Sequence, residues 1–75
     1  GPYVDRGFCY GQLGDFPAAI NEFNRAIALD PKNARALGLR GEAFRRTGEF
    51  QKAITDFTAA NRQWLASALE LGAID

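Results

Sequence analysis

Apolar and small residues recur along this chain with helical spacing, and the interruptions between them fall at turn residues. Tyr3, Gly7 and Tyr10 stand at i, i+4 and i+7, and so do Leu37, Gly41 and Phe44. Phe16, Ala19, Ile20, Phe23, Ala26 and Ile27 mark one face of a second segment, and Phe50, Ala53, Ile54, Phe57 and Ala60 one face of a fourth. Gly14 and Gly48 stand where a helix end takes a left-handed residue. Asp15 followed by Pro17 suits a helix start, Asp30-Pro31 a stop, and Asn33 a cap. The pattern predicts helices over 2–13, 16–29, 34–47 and 50–71 and an all-α fold.

The segments are two copies of one unit. A shift of 34 residues aligns Arg6 with Arg40, Gly7 with Gly41, Gly14 with Gly48 and Phe16 with Phe50. The same shift pairs Ala19 with Ala53, Ile20 with Ile54, Phe23 with Phe57 and Ala26 with Ala60. The matches fall where packing restricts the residue, while the polar positions between them drift. Each unit then forms an antiparallel helix-turn-helix hairpin. A mid-helix glycine costs roughly 1 kcal/mol against alanine, which is offset if the second helix crosses close by. Ala19, Ala26, Ala53 and Ala60 supply the matching small surface, with Phe23 and Phe57 beside them. The first repeat is placed at about 1–33, the second at about 34–62, and a C-terminal helical extension at about 63–72, all within one domain covering 1–75.

These residues, in this order and with this period, resemble the tetratricopeptide repeat. Tyr3 through Pro31 follows that family's aromatic–Gly–Tyr…Ala…Phe…Ala…Pro signature, including the run Leu29-Asp30-Pro31. The second unit keeps Gly41, Phe44, Ala53, Phe57 and Ala60, but carries Trp64-Leu65 where Asp-Pro would close it, and Arg6 and Arg40 replace the usual leucine before the glycine. The resemblance implies an α-solenoid built of hairpins and the work of a scaffold or peptide receptor, with another protein or peptide as partner. It also implies a concave groove lined by the first helix of each hairpin. The groove positions here are Val4, Phe8, Gly11 and Gln12, then Arg35, Gly38, Leu39, Glu42, Arg45 and Arg46. Members that clasp the acidic C-termini of heat-shock chaperones use Lys and Asn where this chain has Val4, Phe8 and Leu39, so that ligand is not expected.

After Ala60 nothing turns the chain. No Gly or Pro lies between Gly48 and Gly72, and Trp64, Leu65, Ala68, Leu69 and Leu71 continue the stripe begun at Ile54 and Phe57. The second half of so long a fourth helix outreaches its hairpin and is left without partners in its own chain. Burial against a second copy answers that, so these five residues are the expected self-association surface of a homodimer. The alternative is a sharp bend near Asn61–Gln63 that folds residues 64–71 back as a capping helix.

Composition narrows the chemistry. Of 75 residues, 47% are hydrophobic and 24% charged, an ordinary globular balance, and nine basic residues cancel nine acidic ones. The totals give no cationic surface for nucleic acid. The charges are nonetheless uneven: residues 32–52 carry six positive and two negative side chains. With Val4, Phe8 and Leu39 this suggests a receptor for an acidic, partly apolar peptide; the competing reading pairs the arginines with local carboxylates. Arg6 and Arg40 each have an acid sixteen residues on, Glu22 and Asp56, and are read as structural ion pairs that, partly exposed, contribute at most about 1 kcal/mol.

With no His, a lone Cys9 without a base, no metal-ligand cluster and no phosphate-loop motif, neither an enzyme nor a metal or cofactor site is expected. Cys9 is read as a buried structural thiol. No apolar run reaches the roughly 20 residues that span a bilayer, and a lone cysteine favours a reducing, intracellular setting. The chain opens on Gly1-Pro2, which resembles the scar of a removed tag, and is expected to be a piece of a longer protein. Three functions therefore remain open: a scaffold that self-associates through its last helix, a groove receptor for a peptide, or an inactive fragment of a longer solenoid.

Overall fold

A computed structural model describes residues 2–72; Gly1, and with it half of the Gly1-Pro2 pair, lies outside them, as do residues 73–75 of the expected domain. Four helices follow in order: α1 (Pro2–Gln12), α2 (Phe16–Leu29), α3 (Ala34–Arg46) and α4 (Phe50–Glu70). All are α-helices, and no strand occurs among the described residues. α1 pairs with α2 and α3 with α4 as hairpins, and α2 lies against α3, joining the two.

The turns repeat in backbone detail. Gly14 (φ 81°) and Gly48 (φ 83°) both adopt the left-handed conformation. The residue after each closes the helix end with the same bond, Asp15 N–H to Tyr10 O and Glu49 N–H to Phe44 O, both 2.9 Å. Asp15 Oδ1 then caps α2 by accepting from Ala18 N–H at 3.2 Å, and Asn33 Oδ1 caps α3 by accepting from Ala36 N–H at 3.0 Å.

The hairpins close where side chains are smallest. A Cβ placed on Gly7 would lie 2.6 Å from Phe23 Cε1, and one on Gly41 would lie 2.9 Å from two ring carbons of Phe57. Two clusters of buried residues join the hairpins. Val4, Ala26 and Ala36 form one, with Tyr3, Ile27 and Leu39 packed on it. Ala19, Phe23 and Ala43 form the other, with Tyr10, Phe16, Ile20 and Leu39 around it.

The expected arginine–acid pairs span both hairpins. Arg6 Nε donates to Glu22 Oε2 at 2.8 Å. Arg40 grips Asp56 with two bonds, of 2.7 and 2.8 Å, and its third nitrogen donates to Asn24 Oδ1 at 2.9 Å, tying α3 to α2. Both acids are buried, so these are more than surface pairs: removing Arg40 strands the Asp56 carboxylate away from water, whereas Glu22 also has Arg25 at 3.5 Å.

Two sequence expectations are corrected. Cys9 is exposed. Its counterpart 34 residues on, Ala43, is buried because α2 packs on that side of α3, whereas α1 meets only α2 and α3 and leaves that side open. Val4 is not a groove residue but the largest fully buried side chain, three residues before Gly7 on the face turned toward Ala26 and Ala36. At the other end α4 runs unbroken through residues 61–63, so residues 64–70 continue the helix instead of folding back.

Candidate functional site

Two surfaces could receive another chain: the groove between α1 and α3, and the outer face of α4.

The groove holds a cavity of about 180 Å³ between α1, α2 and α3. Of the expected groove positions, Phe8, Gly11, Gln12, Leu39, Glu42 and Arg46 line it, with Phe16 and Phe23 among the residues behind them. Arg35 and Arg45 lie exposed outside the cavity. The space suits one apolar side chain, yet the cations around it are already engaged. Glu42 accepts from Arg45 Nε at 2.9 Å and from Arg46 Nε at 3.2 Å, while Arg35 Nη1 reaches Asp5 Oδ1 at 3.3 Å. One carboxylate thus holds two guanidinium groups at i+3 and i+4 on the same helix. The hydrogen bond from Arg45, reinforced by Arg46, lowers the Glu42 pKa to about 2. The pairing is therefore fully present above the carboxyl's ordinary 4.5 and lost as pH falls through about 2. A carbon-detected NMR titration should show the Glu42 carboxyl still ionised at pH 3.5 (roughly one unit below an ordinary carboxyl's midpoint); an ordinary midpoint would mean that the arginines are free for a ligand.

The second surface is mainly apolar, with Thr58 and Asn61 as exposed polar positions beside its large side chains. Along α4, Phe50, Ile54, Phe57, Trp64 and Leu69 are exposed at 61, 56, 39, 59 and 57%. Leu65 is exposed as well, and Leu71, just past the helix, at 84%. Four of the five residues expected to mediate self-association are thus open to solvent; Ala68 is buried and drops out of the surface. The sequence reading missed Phe50, Ile54 and Phe57, which it took for interior positions like Phe16, Ile20 and Phe23. The difference lies in the neighbouring helix: the equivalent face of α2 is covered by α3, and α4 meets no helix other than α3 among the described residues.

Among the described residues, no group of three or more His, Cys, Asp or Glu could hold a metal ion, and no helix is long and apolar enough to cross a membrane.

Residues 10–73 match the family model of the tetratricopeptide repeat. The chain is 39% identical over 57 residues to mouse (Mus musculus) tetratricopeptide repeat protein 14, an alignment covering 76% of this chain and 7% of that protein. It is 35% identical over 52 residues to stress-induced-phosphoprotein 1 of Caenorhabditis elegans, covering 69% and 16% of the two. It is 36% identical over 55 residues to human (Homo sapiens) peptidyl-prolyl cis-trans isomerase FKBP4, covering 73% and 12%. The chain therefore spans less than one fifth of the length of each of these relatives, at most 16%.

Proposed function

This chain belongs to the tetratricopeptide repeat family, and from that premise we propose that it is a protein-interaction module that self-associates through the outer face of α4, with a homodimer as its smallest assembly. One observation carries the reading: a face of large apolar side chains, from Phe50 to Leu69, that nothing in its own chain covers. Clusters of exposed large apolar side chains mark association surfaces. Burying one such side chain contributes about 1.5–3 kcal/mol, enough over several to offset the ordering cost of joining two chains. The role is binding, not catalysis; the isomerase in one relative's name belongs to a protein of which this chain matches only 12%.

The groove reading, a receptor for an acidic and partly apolar peptide, is weaker. Its cavity accommodates an apolar side chain, but Arg35, Arg45 and Arg46 already have carboxylate partners.

Replacing Trp64 and Leu65 together by Asp tests the proposal. Both are exposed, so the fold should survive, with unchanged helical circular dichroism. Sedimentation should show association weakened at least tenfold relative to wild type, the equivalent of about 1.4 kcal/mol. Association unaffected by the two carboxylates would remove the C-terminal half of α4 from the surface.

A further inference from the structure

We infer that copies of this chain join head to tail, the outer face of α4 in one copy receiving the outer face of α1 in the next. The inference rests on the reading that α4 is the self-association surface, and it identifies what that surface accepts.

The template for the contact lies inside the molecule, where α2 meets α3. Phe16, Ile20 and Phe23 of α2 pack there around Ala43 of α3, and Ala26 meets Ala36. Shifted by 34 residues, the α2 side becomes Phe50, Ile54 and Phe57 of α4, all exposed. The α3 side becomes α1, with Pro2 in the place of Ala36 and Cys9 in the place of Ala43. Ala36 and Ala43 are buried, while Pro2 and Cys9 are exposed. The chain thus carries both halves of a contact that it makes once internally, one half open at each end.

The polar groups follow the same correspondence. Arg40 holds Asp56 of its own hairpin and donates with Nη1 to Asn24 of the preceding one. Arg6 likewise holds Glu22, and Thr58 occupies the place of Asn24. In the head-to-tail contact Arg6 Nη1 therefore faces Thr58 Oγ1 of the neighbouring copy. Where a charge replaces an apolar residue of these two clusters, both sides change. Leu39 and Ile27 pack on the same internal cluster, and their counterparts are Asp5 and Asn61, a carboxylate and an amide able to donate to it. Trp64-Leu65 correspond to Asp30-Pro31, which lead into α3. Where the first unit turns, α4 continues, carrying these two side chains past the start of the partner's α1. A contact between unlike faces leaves one of each free on the assembly, so a dimer can add further copies.

Two variants at exposed positions test this, one blocking each face: Cys9→Arg on α1 and Ile54→Asp on α4, with circular dichroism confirming the fold of both. Head-to-tail joining predicts that each variant alone sediments as an 8.2 kDa monomer where the wild type associates. Mixed, the two should form a one-to-one complex and nothing larger, because each supplies the face the other lacks. Alkylation of wild-type Cys9 by iodoacetamide should also slow as the chain concentration rises through the association range. If Cys9→Arg associates as the wild type does and the mixture forms no new complex, α4 pairs with α4: head-to-tail joining is overturned and self-association through α4 stands. A wild type that stays monomeric at every concentration overturns both.

Discussion

Leucine at Gly7 should abolish or nearly abolish cooperative folding of the first hairpin. Even a methyl group there would meet Phe23 Cε1 at 2.6 Å and Glu22 Cβ at 3.1 Å. Phe23 is 2% exposed and packed against Ala19 and Ala43, so the ring cannot shift without disturbing the cluster that joins the hairpins. Overpacking of this kind costs about 1–3 kcal/mol and more when the neighbours cannot move. The helix-propensity gain of replacing glycine, roughly 1 kcal/mol at most, does not compensate. Gly41→Leu meets Phe57 at 2.9 Å, but Phe57 is 39% exposed and can swing outward, so this variant should lose less. Thermal melts followed by circular dichroism rank them: wild type highest, Gly41→Leu lower, Gly7→Leu lowest, with each kcal/mol worth roughly 4–8 °C in a domain this small. Equal midpoints, or the reverse order of the two variants, would contradict the close helix crossing.

Removing Arg40 should have the second largest effect. Asp56 is buried and has no other cationic partner among the described residues, so Arg40→Ala leaves its carboxylate uncompensated and also deprives Asn24 of its donor. Breaking a buried pair from one side costs about 3–5 kcal/mol. Arg6→Ala should cost less, because Glu22 retains Arg25 at 3.5 Å. Removing both partners, Arg40→Ala with Asp56→Ala, should recover part of the loss, since no buried charge then remains unpaired. Chemical denaturation of the four proteins measures this. Equal losses from Arg6→Ala and Arg40→Ala, or no recovery in the double variant, would show that the buried carboxylates are not what the arginines serve.

The helices and their hairpin pairing were legible because packing allows few residues at each contact. Gly7 and Gly41 recur with period 34, as do the arginines before them and the acids sixteen residues on. Helix ends fell one residue early, at Gln12, Arg46 and Glu70, where the next residue belongs to the turn. The misread positions share one cause. Burial of a helix face depends on what lies beyond it, and a repeat pattern is the same in an inner and an outer unit. Cys9 therefore looked like Ala43, and Phe50, Ile54 and Phe57 looked like Phe16, Ile20 and Phe23, although one member of each pair has a helix over it and the other does not. The groove charges divide similarly. Glu42 with Arg45 and Arg46 follows from helical spacing, whereas Arg35 with Asp5, thirty residues apart, depends on how α1 lies beside α3.

Self-association through α4 is the central claim, and sedimentation equilibrium of the wild-type chain over a hundredfold range of concentration tests it most directly. Apolar side chains from Phe50 to Leu69 that lack cover in their own chain predict a weight-average mass that climbs from the 8.2 kDa of one chain to that of two or more, reversibly on dilution. A mass fixed at 8.2 kDa throughout would contradict it.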